Sequence, residues 1–394
     1  MNTPKIRFKG FEDDWEQRKF EDVGTVAMCK RIFKEQTSEE GEVPFYKIGT
    51  FGGIPDAYIT RELFEEYKKN YQYPNKGDIL ISASGSIGRT VEYTGKDEYY
   101  QDSNIVWLKH ENDLDNSFLK VLYGVIEWSC EGSTIKRLYN YNFLKTEFML
   151  PKIEEQIKIG EYFSKLDHLI TLHQRKCDET KQLKKFMLQK MFPKNGEKNP
   201  EIRFEGFTDD WEQRKLGDIC EQLSQTIDPK RTPNARFEEY SMPAFDQNMK
   251  ATVVEGSTMN STRKIISKEC LLINKLNVRK KRIWLVEKPS DNAVCSAEFI
   301  PICSDEINLR YLKYFTLNDS FTKYLEDCSS GSSNSQKRVT PDIIMNAEII
   351  APVYAEQKKI GDYFRNLDHL ITLHQRKCEK LKELKKFMLQ NMFV

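Results

Sequence analysis

Two histidine and cysteine pairs have the residue types of a metal site. His173 and Cys177 lie four positions apart, and His374 and Cys378 repeat the pair. Because residues at i and i+4 share one face of a helix, two such helices could surround zinc with a Cys₂His₂ set. Alternatively, His and Cys pack along a helix seam and fix its register. Spacing alone shows no tetrahedral geometry, so we favour register and predict no metal site.

A second pattern has the residue types of a nuclease. The candidates are Asp56, Glu66 and Lys68, echoed by Asp342, Glu356 and Lys358. Such carboxylates and a lysine could bind Mg²⁺ and orient a water molecule. The string is short, however, and residues at i and i+2 of a helix point apart. We predict no catalytic residues and keep a stand-alone nuclease as an alternative. The sequence also lacks G-x-G and Walker A motifs, so we predict no cofactor on this chain.

Cationic and aromatic side chains gather in turn-like segments that could bind DNA. RKKR at 279–282 could contact phosphates or guanine edges, and SASGSIGR at 82–89 could bring backbone amides to a phosphate. The stretches 131–142 and 329–338 add hydroxyl, amide and tyrosine groups. Ordinary turns and solvated loops are the alternative. The predicted DNA-binding residues are Lys47, Ser84, Ser86, Arg89, Lys136, Arg137, Tyr139, Tyr141, Lys275, Asn277, Arg279, Lys280, Lys281, Arg282, Lys337 and Arg338.

Composition limits the class of protein. The chain has 394 residues, enough for two or three domains, and 31% of them are charged. The formal net charge is only +1, so any site for a polyanion must be a local patch or be completed by a partner. The nine cysteines include no C-x-x-C pair, which favours reduced thiols. Without a long apolar run or a signal peptide, we expect a cytoplasmic protein with no membrane contact.

The chain repeats itself. IRFKGFEDDWEQRK at 6–19 returns as IRFEGFTDDWEQRK at 202–215, and LDHLITLHQRKC at 166–177 returns unchanged at 367–378. The segments between the repeats share little more than hydrophobic rhythm, although GSTIKR at 132–137 aligns with GSSNSQKR at 331–338. A duplicated scaffold therefore carries two unlike inserts.

Each repeated tail is predicted to be a long helix. Apolar and small residues recur at spacings of three and four, flanked by charged residues. A helix over 152–192 would be about 60 Å long and could not bury its own seam. We therefore expect the two helices to pair antiparallel as a coiled coil with an internal pseudo-two-fold. The predicted seam consists of Phe163, Leu166, Ile170, His173, Phe364, Leu367, Ile371 and His374.

The predicted fold class is α+β, with two α/β globules joined by the helix pair. Strand-like and helical runs alternate in both inserts, and PKNGEKNP at 193–200 has the composition of a linker. The predicted limits are 1–151 for the N-terminal segment and first globule, 152–192 for the first helix, 193–216 for the linker and repeated segment, 217–352 for the second globule and 353–394 for the second helix.

The order of these segments resembles the specificity (S) subunit of type I restriction-modification enzymes. The resemblance covers nearly the whole chain and depends on the repeated IRF…DDWEQRK segments, FYKIGTFGG, GDILISASGSIGR and the stretches from GSTIKR and APVYAEQKK into each long helix. The second insert departs from the first where it reads NKLNVRKKRI at 274–283, so residue roles do not transfer between the halves there.

The resemblance implies a subunit without an active site. Each globule would be a target-recognition domain that reads one half of a split, asymmetric sequence in double-stranded DNA. The helices would set the unread spacer and dock two methyltransferase (M) subunits, and a restriction (R) subunit could complete the assembly. S-adenosylmethionine, ATP and Mg²⁺ would belong to those partners. A coiled-coil adaptor that never touches DNA is the other alternative.

Overall fold

The computed structural model describes residues 3–132, 136–194, 196–331, 333 and 336–394. The chain forms two compact units: unit 1 comprises Met1–Gln174 with Arg376–Val394, and unit 2 comprises Arg175–Gln375. The limits of both units fall inside the repeated helices. Each unit therefore contains part of both helices.

Unit 1 contains one insert. Its strands are β1 (Glu16–Lys19), β2 (Gly24–Ala27), β3 (Val43–Tyr46), β4 (Tyr58–Ile59), β5 (Ile79–Ser82), β6 (Thr90–Glu92), β7 (Tyr99–Tyr100), β8 (Ile105–His110) and β9 (Glu147–Leu150). Its helices are α1 (Phe20–Val23), α2 (Arg61–Asn70), α3 (Asn116–Val125), α4 (Asn140–Lys145) and the first part of α5 (Ile153–Lys190).

Unit 2 contains the other insert. Its strands are β10 (Glu212–Lys215), β11 (Glu221–Gln222), β12 (Thr226–Ile227), β13 (Arg236–Tyr240), β14 (Thr252–Glu255), β15 (Arg263–Ile265), β16 (Cys270–Asn274), β17 (Ile283–Val286), β18 (Ala293–Ser296), β19 (Phe299–Cys303) and β20 (Glu348–Ala351). Its helices are α6 (Leu216–Ile219), α7 (Met242–Asn248), α8 (Leu309–Thr316), α9 (Asp319–Asp327), α10 (Pro341–Met345) and the first part of α11 (Tyr354–Asn391).

Each insert has its own central antiparallel sheet of four strands, and the two sheets have corresponding strand orders. The strand order is β2-β8-β5-β6 in unit 1 and β11-β19-β16-β17 in unit 2. A second sheet differs in size, with order β4-β3-β7 in unit 1 and β12-β15-β18-β13-β14 in unit 2. The inserts are thus variants of one architecture, and this was not evident from their unlike sequences.

The central strands are buried on both faces. In β5, Ile79 and Ile81 pack into one core while Leu80 packs into another, as the two-residue period of a strand requires. In β16, Leu271 and Leu272 divide between two cores in the same way. The loops that follow β5 and β16 therefore start from rigid strand ends.

The repeated N-terminal segments hold the helix starts through buried ion pairs. In unit 1, Arg7 Nε and Nη2 donate to the two carboxylate oxygens of Glu155 at 2.7 and 2.9 Å, and Trp15 Nε1 donates to Oε2 at 3.1 Å. In unit 2, Arg203 binds Glu356 through Nε and Nη2, both at 2.8 Å. The repeated N-terminal segments thus form the same arginine–glutamate ion pair in both units.

Glycine allows each long helix to approach its neighbour. A Cβ at Gly160 in α5 would lie 2.7 Å from the backbone nitrogen of Phe118 in α3. A Cβ at Gly361 in α11 would lie 3.0 Å from the backbone nitrogen of Tyr311 in α8. The glycine of the repeated K-I-G motif is therefore required by backbone contact with α3 and α8.

The long helices pair antiparallel within each unit. In unit 1, the Lys385 ammonium contacts Asp167 at 2.6 Å and Cys378 Sγ donates to the Ile170 carbonyl at 3.9 Å. Unit 2 repeats both contacts through Lys184 with Asp368 and Cys177 with Ile371, at 2.6 and 3.9 Å. In unit 1 the lysine and the cysteine come from α11 and their partners from α5, whereas in unit 2 the lysine and the cysteine come from α5.

The predicted seam residues lie along these pairings. In unit 1, Phe163 and Leu166 are buried in the same core as Met392. In unit 2, Phe364 and Leu367 are buried with Phe192. Half-buried positions continue the line at Ile170, His173, Ile371 and His374. The predicted α+β class with two long helices is confirmed. Among the described residues, we find no helix long and apolar enough to cross a membrane.

Candidate nucleic-acid interface

The loop at 83–89 in unit 1 is a fixed turn at the end of β5. The Ser82 N–H donates to the Arg89 carbonyl at 2.9 Å, and the Gly88 N–H donates to the Ser82 carbonyl at 3.1 Å. Gly85 and Gly88 have backbone φ angles of 67° and 86°, which residues other than glycine rarely adopt. Ser86 and Arg89 are exposed on this turn, whereas Ser84 is buried. Hydrogen bonds therefore fix the position of the turn.

Arg137 lies beside this loop. Ser84 and Arg137 form an isolated β-bridge, and the N–H after the arginine, from Leu138, donates to Ala83 O at 2.8 Å. The Arg137 Nη2 donates to Ser103 Oγ at 3.1 Å and to Asn104 Oδ1 at 3.2 Å. The guanidinium is thus held by neutral groups.

Further predicted residues of unit 1 surround the arginine. The rings of Tyr139 and Tyr141 are exposed and stack at 6.2 Å, and the Arg137 guanidinium lies 5.9 Å from the Tyr139 ring. Lys136 is exposed beside them. Exposed stacked rings next to cations are the groups that bind bases and phosphates in other proteins.

Arg89 connects the loop after β5 to the segment after β3. Its Nη2 donates to Ile48 O at 2.7 Å, and its guanidinium lies 5.4 Å from the Phe51 ring. Lys47, which begins that segment, forms an ion pair with Asp56 at 2.8 Å. Arg89 therefore retains part of its hydrogen-bonding capacity for a ligand, while the charge of Lys47 is already paired.

Unit 2 repeats the construction around Arg338. Leu276 and Arg338 form an isolated β-bridge, and the N–H after the arginine, from Val339, donates to Lys275 O at 3.0 Å. Gly331 is required here, because a Cβ would lie 2.9 Å from the Gln336 carbonyl oxygen. The alignment of GSTIKR with GSSNSQKR therefore places Arg137 and Arg338 at equivalent positions, each bridged to the loop after a central strand.

The RKKR cluster is largely paired with acidic side chains. Arg279 contacts Glu326 at 2.8 Å, and Lys281 contacts Asp319 at 2.5 Å. Arg282 is 8% exposed and binds Asp246 through two hydrogen bonds of 2.7 Å, which lower the pKa of that carboxyl group. Arg282 is thus already held by Asp246 in this arrangement, and its predicted contact with DNA stays a prediction.

Other cations of unit 2 remain available. Lys280 is exposed, and Lys275 and Lys337 are half-buried. Among the described residues, these three lysines make no ion pair. Asn277 donates its N–H to Lys337 O at 2.9 Å, which joins the loop after β16 to the hairpin. Within the stretches predicted to bind DNA, Ser133, Thr134, Ile135, Ser332, Asn334 and Ser335 lie outside the described residues.

Sequence reasoning missed the residues that hold the two arginines. Asn104 contacts Arg137 in unit 1, and Arg338 Nη2 and Nε donate to the Glu298 carboxylate at 2.9 and 3.3 Å in unit 2. Both are the polar residue directly before a buried apolar strand, β8 or β19. That pattern was visible in NIVWL and EFIPIC, but the strand pairing that gives it meaning was not.

The structure gives no geometric support to the metal or nuclease alternatives. The described residues contain no cluster of three His, Cys, Asp or Glu side chains suited to a metal. Asp56 is paired with Lys47, and Lys68 lies 3.4 Å from Asp97. Glu356 is fully buried in its pair with Arg203. These candidate residues thus make separate ion pairs.

A family model described as the type I restriction modification DNA specificity domain matches the chain twice, at residues 12–182 and 208–383. The chain belongs to this family. Each specificity domain match includes one insert and most of the long helix that follows it. The resemblance to S subunits is confirmed.

Individual relatives agree with the family. A putative type I restriction enzyme specificity subunit of Haemophilus influenzae is 54% identical over 150 residues, which cover 38% of this chain and about two fifths (39%) of that protein. The MjaVIII specificity subunit of Methanocaldococcus jannaschii is 23% identical over 332 residues, covering 79% of this chain and 74% of that one.

A solved structure shares the fold of these specificity domains. The crystal structure of a type I restriction-modification S subunit from M. genitalium matches with a TM-score of 0.62 at 15% identity. The match covers 100% of this chain and 99% of the other.

Proposed function

We propose that this chain is the DNA sequence-recognition subunit of a type I restriction-modification complex. Each unit reads one half of a bipartite, asymmetric target. One observation carries this proposal: Arg137 in unit 1 and Arg338 in unit 2 occupy equivalent positions. Each is bridged to the loop that follows the central strand of its own unit, β5 or β16. Because the surrounding side chains differ, one architecture presents two different reading surfaces, as an asymmetric target requires.

The charge of the chain fits recognition inside a larger complex. The formal net charge of +1 provides little general attraction to DNA. The exposed cations beside the two hairpins include Lys136 and Lys280, and they supply local contacts. The methyltransferase subunits supply the remaining phosphate contacts.

The long helices set the spacing between the two half-sites. Each of α5 and α11 has 38 residues, or about 57 Å of helix. A rigid element of fixed residue number fixes a distance, whereas a flexible linker does not. We expect half-sites about one turn of DNA apart, roughly 34 Å.

The same helices dock two methyltransferase subunits. Unit 2 exposes Leu183 and Phe186 on α5, and unit 1 exposes their repeats Leu384 and Phe387 on α11. An apolar pair at helical spacing is suited to packing against a partner protein. Because the two pairs are identical, they fit two copies of one partner.

This chain supplies positioning and selectivity, and its partners supply catalysis. Methylation and cleavage, with S-adenosylmethionine, ATP and Mg²⁺, belong to the methyltransferase and restriction subunits. The assembly works on DNA in the cytoplasm. The nuclease and adaptor alternatives have no support in the site geometry or in the relatives.

Methylation mapping tests the proposal. The chain is co-expressed with its candidate methyltransferase subunit, and methylated positions are located across the host genome. We expect one split motif. Exchanging residues 217–351 for those of another specificity subunit should change one half of the motif and preserve the other. Failure of the wild-type pair to methylate a defined motif would contradict the function.

The spacer is tested separately. Inserting seven residues at matched positions of α5 and α11 lengthens each helix by about 10 Å. The unread spacer should then grow by about 3 base pairs, because stacked base pairs repeat every 3.4 Å. An unchanged spacer with both half-sites retained would exclude the helices as the element that sets the distance.

A further inference from the structure

The two arginine hairpins differ in the charge of the group that holds the arginine. In both units one residue stands directly before the strand next to the central strand, Asn104 before β8 and Glu298 before β19. The carbonyl of each accepts the N–H of the first residue after the central strand: Ala83 donates to Asn104 at 2.7 Å, and Lys275 donates to Glu298 at 2.9 Å. Asn104 and Glu298 are therefore structurally equivalent.

Their side chains treat the arginine differently. The Asn104 Oδ1 accepts from Arg137 and from the Ser84 hydroxyl, so it orients the guanidinium without bringing a negative charge to it. The Glu298 carboxylate lies 2.9 Å from Arg338 Nη2 and neutralises the charge. The side chains of Arg338 and Glu298 are 55% and 22% exposed, so solvent and DNA can reach the pair.

We propose that the residue at this position, Asn104 or Glu298, determines how strongly each half-site arginine binds DNA. This inference rests on the proposed function and adds a residue-level determinant to it. Arg137, which makes no ion pair with any described residue, is a cationic donor for phosphate or guanine in one half-site. Glu298 masks Arg338 in the other and repels nearby phosphates. The two half-site arginines are therefore electrostatically unequal, and Arg137 contributes more salt-dependent affinity than Arg338 does.

The consequence is measurable through salt dependence. Each phosphate neutralised by a cation adds about 0.9 to the slope of log affinity against log salt concentration. The share of the affinity that depends on one such contact therefore falls roughly threefold when the salt concentration rises from 50 to 200 mM. An arginine already held by a carboxylate contributes less than a free one.

The test uses the full chain assembled with its methyltransferase subunits and the mapped target duplex. Glu298→Gln frees Arg338, so we expect affinity to rise and the slope to steepen by about 0.9, which makes the gain in affinity roughly threefold larger at 50 mM than at 200 mM salt. Asn104→Asp supplies Arg137 with a carboxylate, and both quantities should fall by similar amounts. Asn104→Ala removes the hydrogen bond without adding charge and separates the two effects.

Alanine substitutions of the arginines complete a double-mutant cycle. Arg137→Ala should weaken binding more than Arg338→Ala in the otherwise unchanged chain. In the Glu298→Gln background, Arg338→Ala should become as costly as Arg137→Ala. Glu306→Gln is the matched control, because Glu306 pairs with Arg214 at 2.9 Å outside the hairpin. Thermal unfolding of each variant confirms that it is folded.

Equal costs for the two arginines, together with an unchanged slope for Glu298→Gln, would overturn the inference. That outcome is distinct from failure of the proposed function, in which the wild-type complex itself shows no preference for a split target over random DNA.

Discussion

At the scale of single residues, the chain uses buried ion pairs for structure and exposed ones near its candidate reading surfaces. Glu155 and Glu356 are almost fully buried, each bound by an arginine through two hydrogen bonds. Exposed surface pairs, such as Arg214 with Glu306, contribute little. Burial therefore distinguishes the pairs that hold the scaffold from those that a ligand can displace.

Removing Glu356 tests this distinction. Glu356→Ala leaves the half-buried guanidinium of Arg203 without its carboxylate, so we expect unit 2 to lose about 3–5 kcal/mol of unfolding free energy. Glu306→Ala is the control and should cost less than about 1 kcal/mol. Urea unfolding measures both. Similar values for the two variants would show that burial adds nothing to the Arg203 pair.

A buried thiol gives the chain an alkaline limit. Burial raises the pKa of Cys29 from 9.0 to about 12. Because the folded-state pKa is raised, this contribution to stability is fully present below the unfolded-state pKa and is lost as pH rises from 9 towards 12. The slope is about 1.4 kcal/mol per pH unit.

Cys29→Ala should flatten this decline. Between pH 9 and 11 the wild type should lose about 2 kcal/mol more unfolding free energy than the variant does. Cys328 is exposed, so Cys328→Ala serves as the control and should follow the wild type. Chemical unfolding at several pH values provides the comparison, and parallel curves for wild type and Cys29→Ala would refute it.

At the scale of elements, the repeated helices bury one face and expose another. Leu367 on α11 is 6% exposed and packs in the core of unit 2, whereas Leu370, three residues later, is 41% exposed. Since residues three apart lie on one side of a helix, this contrast marks the edge of the packed stripe.

The two leucines make a matched pair for mutation. Leu367→Ala should cost about 2–5 kcal/mol through lost burial and the cavity left behind. Leu370→Ala should stay within about 1 kcal/mol, because its side chain already contacts solvent. Thermal and urea unfolding distinguish them, and equal costs would place the edge of the packed stripe elsewhere.

At the scale of the whole molecule, duplication places the same exposed groups on both units. Phe186 belongs to unit 2 and Phe387 to unit 1, and both are about half exposed. Two identical apolar sites on one chain would suit the proposed docking of two methyltransferase subunits.

Native mass spectrometry of the purified complex checks this stoichiometry. Phe186→Glu and Phe387→Glu should each remove one methyltransferase subunit, and the double variant should remove both, because a buried unpaired carboxylate is unfavourable. Phe186→Leu keeps an apolar side chain and should retain two subunits. Two bound subunits in the double variant would exclude these phenylalanines from the docking surface.

The sequence by itself determined the duplication, the two long helices, the unlike inserts and the family. These features are local, because repeated sequence segments, helical periodicity and turn glycines can be recognised along the chain. The alignment of GSTIKR with GSSNSQKR also indicated that Arg137 and Arg338 are equivalent.

Only the tertiary structure decided which side chains those arginines meet. Asn104 lies 33 positions from Arg137, and Glu298 lies 40 positions from Arg338. Asp246, 36 positions from Arg282, likewise forms a partly buried ion pair with a residue that is predicted to contact DNA. Such partners come together through strand register and sheet packing, which depend on the whole insert, and the charge available to a ligand depends on those partners.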